Sequence, residues 1–456
     1  MNELDVPNLT DRQDRDDKLN IDHKNLKSSH NREQNFKQSV PKVLLVGYNG
    51  ANNTGSEARL ISIIKDVRAV LGPDVCITIP TLNEKNLRRY IKEEANLKIV
   101  PIPSIFFFAL KKLVKEHDLV LLVEGSCYMD TWTSALLWAF LWTTKCANSS
   151  KIPCIAYSVD AGDLSPLNKF LVKREASKTD LIITRTKLAA DKLKNIGVTA
   201  PIKNTADSAF TFQKDDNDET IIQDIWTKES LPKPEKSVVG FAVVDFYLWP
   251  VVIRPWGKSK DRYKWPYYFS RSKKRAKKSD DLSARWAALA DKIIEKHGKS
   301  IALICMEELD EPLALNIIGK MQHSENAHIF TSNEFNTSQM TGILQGLELL
   351  ITSRYHAAVL SLESPVPQIA VAHDPRLKGL YNELGIDKEY LFDYRLENAG
   401  KIVWDKVEKQ ADDLLGNPKK INNKLKQGYS QHLMGAEKNR QLLKEFLIER
   451  GWEVRP

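Results

Sequence analysis

Cysteine is scarce in this sequence and is not arranged for covalent or metal chemistry. Five thiols among 456 residues, Cys76, Cys127, Cys146, Cys154 and Cys305, lie far apart in apolar surroundings and form no CxxC pair. That spacing speaks against a disulfide frame and a zinc site, and points to reduced, buried thiols in a cytoplasmic protein. Long apolar runs are missing too. The most apolar stretch, SALLWAFLW at 134–142, falls far short of the roughly 20 residues a spanning helix needs and reads as a buried helix. The first 40 residues lack the apolar core of a signal peptide and are rich in Asp, Asn, Lys and Arg, the composition of a disordered extension. Nucleotide fingerprints are also absent. In the loop GYNGANNTGSEARL, 47–60, the glycines Gly47, Gly50 and Gly55 match neither G-x-G-x-x-G nor a P-loop, which removes support for a nicotinamide cofactor or ATP. Gly and Asn let backbone amides approach a ligand here, or they make a tight βα turn with Ser56 capping the helix.

What is present is enough chain for two cores and a net charge of +8, which favours anionic partners without choosing among them. From Pro41 on, short β-branched runs alternate with helical patterns, the mark of parallel sheets covered on both faces. KVLLVGY (42–48), DLVLLVEG (118–125), IPCIAYSV (152–159), DLIITR (180–185) and IKNTAD (202–207) would be strands of one sheet. VVGFAVV (238–244), IALICME (301–307), HIFTS (328–332), LELLITS (347–353) and VPQIAVAH (366–373) would form another. The charged segment 213–237, with two prolines, breaks the alternation and marks the boundary. The expected organisation is a disordered extension (1–40), a Rossmann-like domain (41–230), a second one (231–390) and an amphipathic helical tail (391–456) that packs back on the body. Ligands of such folds bind at the carboxyl ends of the strands. In the second sheet, Arg354, Tyr355 and His356 stand where an apolar run stops and a helix begins, a place suited to a small anion.

After the second strand come VEGSCYMDTW (123–132), AYSVDAGDLSPL (156–167), ITRTKLAADKLKNIGV (183–198) and ADSAF (206–210). With the opening loop and SRYHAAVLSLESPVPQIAVAHDPRLKGLYNELGI (353–386), this order resembles the polysaccharide pyruvyl transferase family, whose members attach pyruvate from phosphoenolpyruvate to sugars as a ketal. The resemblance implies two Rossmann-like domains similar to the GT-B architecture of nucleotide-sugar glycosyltransferases, an interdomain active site, phosphoenolpyruvate as donor, a glycan acceptor, no cofactor and no metal ion. This chain departs from the family in three places. Gly55-Ser56-Glu57-Ala58 stands for Gly-Asp-Glu-Ala, Glu124-Gly125-Ser126 for a glycine triplet, and Arg185-Thr186-Lys187-Leu188-Ala189 for Arg-Asp-x-x-Ser. The substrate is therefore open.

Carried over by the resemblance, Arg354 and Arg185, one from each domain, would hold the donor's phosphate and carboxylate, arginine suiting either oxyanion. Bringing the two together would need the cleft to close. Gly125, Ser126 and Tyr355 belong to the same donor side. His356, with an ordinary pKa near 6.5, is the best-placed acid by sequence to protonate the methylene carbon. Asp130 could take an acceptor hydroxyl proton or only cap a helix. Asn53, Glu57, Asp160, Asp163, Asp374 and Arg376 are expected around the acceptor in the cleft.

One segment, 253–278, follows no family pattern and reads as a loop insertion. It interleaves eleven Lys and Arg with aromatics and only one acid. Such residues suit an anionic membrane surface or single-stranded nucleic acid. The membrane is the preferred partner because acceptors in this family can be lipid-linked sugars, and no nucleic acid is expected. Two other readings stay open: a glycosyltransferase using a nucleotide sugar, and a noncatalytic glycan-binding relative.

Overall fold

The computed structural model describes residues 40–215, 238–245, 247, 251–270, 272–372, 375–393 and 400–455. The amino-terminal extension and most of the expected boundary segment 213–237 lie outside them. The first sheet holds seven parallel strands in the order β3-β2-β1-β4-β5-β6-β7. They are β1 (Lys42–Val46), β2 (Cys76–Thr81), β3 (Leu97–Pro101), β4 (Leu119–Leu122), β5 (Cys154–Val159), β6 (Leu181–Thr184) and β7 (Ile202–Asn204). β1 and β4 read as unbroken apolar runs because both of their faces are covered. Leu44, Val46, Val120 and Leu122 lie in one buried cluster, and Val43, Leu45, Leu119 and Leu121 in another.

The second sheet has six strands, also parallel, in the order β13-β12-β8-β14-β15-β16. These are β8 (Val238–Ala242), β12 (Ser300–Cys305), β13 (Ala327–Thr331), β14 (Leu349–Thr352), β15 (Gln368–Val371) and β16 (Leu391–Phe392). Both expected Rossmann-like domains are present. β9 (Val251–Ile253), β10 (Arg262–Lys264) and β11 (Tyr267–Phe269) make a separate antiparallel sheet. The segment read as a loop insertion is therefore a small sheet followed by the start of a helix.

The helices used below are α1 (Thr54–Leu71), α2 (Phe107–Lys115), α3 (Ser134–Ser149), α4 (Pro166–Ala176), α5 (Lys187–Ile196), α6 (Lys273–His297), α7 (Thr337–Gln345), α8 (Tyr355–Ser361) and α9 (Asn422–Ile448). Two of them join the domains. α1 is buried on nearly every side, for it covers the first sheet and also touches the second domain. Thr54 N donates to Met306 O (2.9 Å) and Thr337 Oγ1 to the Glu57 carboxylate (2.7 Å). α9 starts in the second domain, where Gly428 abuts Leu384, and ends with Leu443, Phe446 and Leu447 in the core of the first. No helix among the described residues is long and apolar enough to cross a membrane.

Candidate active site

A cavity of about 530 Å³ lies where the two sheets turn their carboxyl ends toward each other. One wall is the loop from β1 into α1. Gly50 (φ +79) and Asn52 (φ +50) bend it through the left-handed region, and a Cβ on Gly50 would come within 2.5 Å of Asn83 O. The cap of α1 is Asn53, whose side chain accepts from Ser56 N at 3.1 Å. Ser56 lies inside the first turn and is not the cap. Gly55 and Ser56 thus bring the amino terminus of an 18-residue helix to the cavity, where its dipole favours an anion.

The opposite wall is the end of β14. Arg354, Tyr355 and His356 all line the cavity. The Arg354 guanidinium is already engaged, with Nη1 3.1 Å from Glu307, Nε 2.8 Å from Asp310, and Nη2 also on Asp310. Burial pushes Asp310 up to about 7 against the pull of Arg354. The Arg354 charge is thus already shared between these two carboxylates. His356 sits under α1 so closely that a Cβ on Gly55 would fall 2.0 Å from its Nδ1. Its Nε2 is 3.4 Å from Asp207, near enough for attraction but without a formed hydrogen bond. Burial lowers the imidazole to about 4, Asp207 pulling the other way, so the ring is neutral at pH 7.

Beneath His356 lies a sealed ionic cluster. Arg185 Nε donates to Asp160 (3.0 Å) and Nη1 to Asp207 (2.5 Å), while Arg59 Nε is 3.1 Å from the other Asp207 oxygen. Arg59 also donates to Ser158 O at 2.6 Å. β5 shifts register there, and Ser158 takes φ +55, a costly conformation for a non-glycine residue. Arg185 does not reach the cavity. It is fully buried, spends its charge on two aspartates, and stacks on Tyr355 at 4.7 Å. Gly125 is small for the same reason, since a Cβ would lie 2.6 Å from Arg185 Nη1.

The other expected residues divide. Ser126, Asn53 and Arg376 line the cavity, with Arg376 Nη1 3.5 Å from Ser126 Oγ and its guanidinium 6.0 Å from the Tyr355 ring. Asp130 is not at the wall; it accepts from Ser165 N and Asn168 Nδ2 (2.8 and 2.7 Å) and fixes the start of α4. Asp160 belongs to the buried cluster, Glu57 is turned to Thr337, and Asp163 is 93% exposed beside Lys192, so none of them faces the cavity. Asp374 lies outside the described residues. Two family departures keep structural roles. Thr186 caps α5 by accepting from Ala189 N (3.2 Å), and Glu124 ties two loops by accepting from Tyr48 N (3.2 Å) and Ser126 N (3.0 Å).

Several wall residues were not singled out in the sequence. Glu307 lines the wall and Asp310 lies buried behind Arg354; both follow β12 in CMEELD, and acids straight after a strand were the available signal. The small sheet contributes Arg262, Tyr263 and Lys264. It is fastened to the first domain by Tyr267 OH to Ser104 O (2.7 Å), Lys264 Nζ to Leu82 O (2.6 Å) and Val251 N to Trp132 O (2.8 Å). Tyr267, Tyr268 and Phe269 are buried, while Trp256 and Trp265 are exposed. Among the described residues no group of three His, Cys, Asp or Glu could hold a metal ion.

Two parallel-sheet domains with a cavity between their strand ends define the GT-B-like class. Solved structures of that kind align over nearly the whole chain. Anabaena HepE with UDP and glucose is 11% identical, with TM-score 0.56, 90% of this chain covered and 100% of that one. UDP-GlcNAc 2-epimerase from Methanocaldococcus jannaschii is 11% identical, with TM-score 0.55, 89% and 99% covered. S. aureus MnaA with UDP gives 11%, 0.56, 90% and 97%. At such identity these likenesses show the fold alone. The family model for polysaccharide pyruvyl transferase matches residues 53–375, and the chain belongs to that family. No curated protein matches it by sequence.

Proposed function

We infer that the protein transfers pyruvate from phosphoenolpyruvate to two hydroxyls of a sugar as a ketal, on a cell-surface polysaccharide or its lipid-linked precursor. The observation that carries this reading is the placing of His356 beside Arg354 and Arg376, directly under the amino terminus of α1. A phosphate and a carboxylate would meet a helix terminus and fixed guanidiniums there, with a proton carrier beside them. In the reaction a proton adds to the methylene carbon, making it a methyl group. One sugar hydroxyl then bonds to the adjacent carbon and loses its proton; phosphate departs with the electron pair of the broken C–O bond, and the second hydroxyl bonds to the same carbon and loses its proton in turn. Because burial holds the imidazole neutral at pH 7, the donor's negative charge has to raise it before it can act as the acid. Donor binding should therefore take up a proton near pH 7. Calorimetry in buffers of different ionisation enthalpy reads that uptake.

The direct test is incubation of pure protein with phosphoenolpyruvate and a panel of cell-envelope glycans. Phosphate release that depends on one glycan supports the reading; release with none of them, while a UDP-sugar is consumed, replaces it with a glycosyltransferase. Contact with an anionic membrane through 253–278 belongs to the same proposal. Lys273, Lys274, Lys277 and Lys278 are exposed at the start of α6, and each basic residue near an anionic surface contributes about 1 kcal/mol. Serine at these four positions should abolish flotation with anionic liposomes at low salt.

A further inference from the structure

The cavity is two-sided in its chemistry. One half is the polar wall of α1, β12 and β14. The other is built by Phe106 at the cap of α2 and Leu110 within it, Ala139 and Phe140 of α3, and Tyr267 and Phe269 of β11. Strand alternation turns Tyr267 and Phe269 to one face, where they cluster with Ala135 and Val251. Tyr268, between them, faces the other way and carries Arg254 at 4.9 Å. The Tyr267 hydroxyl is committed to Ser104 O, so this arm is walled mainly by carbon. The border between the halves is a pair of tyrosines: Tyr263 packs edge-on against Phe269 at 5.9 Å, and its hydroxyl meets that of Tyr48 in the β1 loop.

A three-carbon donor and one sugar have use for the polar half alone. Water in an arm with few hydrogen-bonding groups is readily displaced by an apolar group. The surroundings say which kind. The outward face of α2 carries Phe108, 85% exposed, with Lys111, Lys112 and Lys115 on the same side, and Ile105 is exposed just ahead of it. A helix that is apolar toward the cavity and apolar-basic toward solvent suits the boundary of an anionic lipid layer. We propose that the arm between α2, α3 and the β9–β11 sheet binds the hydrocarbon chain of the acceptor, so that the sugar is presented as a glycolipid with the chain seated beyond the Tyr48–Tyr263 border. This rests on the reading of the polar half as the place of a sugar.

The experiment is a chain-length series of methyl, butyl and octyl β-galactosides, each below its micelle concentration, with binding measured by calorimetry on the full chain. Each buried methylene strengthens binding about three- to fourfold, so octyl should bind about a hundredfold more tightly than butyl. Ala139→Phe, which fills the arm, should flatten the series. A farnesyl glycoside run in parallel separates an isoprenoid from a straight chain, and tight binding of either meets the proposal. Affinity that is independent of chain length in the wild type overturns it, as does Ala139→Phe binding octyl galactoside with wild-type affinity. Phosphate release from phosphoenolpyruvate is scored separately. Chain-dependent binding without release would sink the pyruvyl reading and leave the arm; release with chain-independent binding would do the reverse.

Discussion

Arg185 and Arg354 occupy matching places, each just past the end of a parallel strand, and each paired with two carboxylates. Their surroundings separate them. The Arg185 side chain is 0% exposed and its partners Asp160 and Asp207 are sealed in with it, whereas Arg354 keeps 15% of its side chain at the cavity wall. One arginine holds the floor under His356, and the other lines the cavity. A sequence position is thus not a role; what decides is whether the guanidinium itself keeps a face on the cavity.

The sharpest way to break this comparison is to delete both cations. Arg185→Leu leaves Asp160 and Asp207 buried with one fewer partner, and should cost roughly 3–5 kcal/mol in denaturant unfolding. Arg354→Leu should cost far less stability, because Asp310, already raised to about 7, can take a proton. Equal losses would mean that the two sites are alike. Next in size, His356→Gln should lower turnover about a hundredfold or more with little change in melting temperature, as phosphate release would read. Arg354→Ala should weaken phosphoenolpyruvate binding by roughly 2 kcal/mol, about thirtyfold, and Arg185→Lys, which keeps a cation in the floor, should weaken it much less.

The smallest effect belongs to Glu57, which the structure removes from the cleft and buries against Thr337. Burial pushes its carboxyl up to about 7 from an ordinary 4.5. The folded chain then holds a proton that the unfolded chain has released, so this group lowers stability as pH rises from about 4.5 to 7. Glu57→Gln should be near neutral at pH 5 and should stabilise by roughly 1–2 kcal/mol at pH 8, measured by thermal melting at both. A gain of the same size at pH 5 would place the benefit elsewhere.

The parallel strands at the centre of each sheet were legible because burial on both faces leaves an unbroken apolar signature, as in β4 and β14. β2 stands outside the expected strands, for CITIPT contains a proline and buries only part of its length. The three-residue strands β9 to β11 are too short to show a period, so their aromatics read as surface when Tyr267 and Phe269 are wall. In the site, Arg354, Tyr355 and His356 were legible from the place where the β14 run stops. The floor was not, since Arg185 finds Asp160 and Asp207 from 25 and 22 residues away, and nothing local reports that a charge is covered. The acids Asp130 and Asp163 follow the same loops but point to α4 and to solvent.

The 2.0 Å that would separate a Cβ at position 55 from His356 Nδ1 makes this glycine a gauge of the angle between the domains. Nothing larger than hydrogen fits, and turning the ring aside would still leave His356 Cβ 2.5 Å away, so Gly55→Ala must wedge α1 away from β14. A wedge there would be amplified along the 18 residues of α1 into a wider mouth, felt by every ligand that spans both halves. Shrinking the opposing side chain is not enough, because the Cβ of residue 356 would still stand 2.5 Å away, which ties the two backbones together: this closure is compatible only with glycine at 55 as long as 356 carries any side chain.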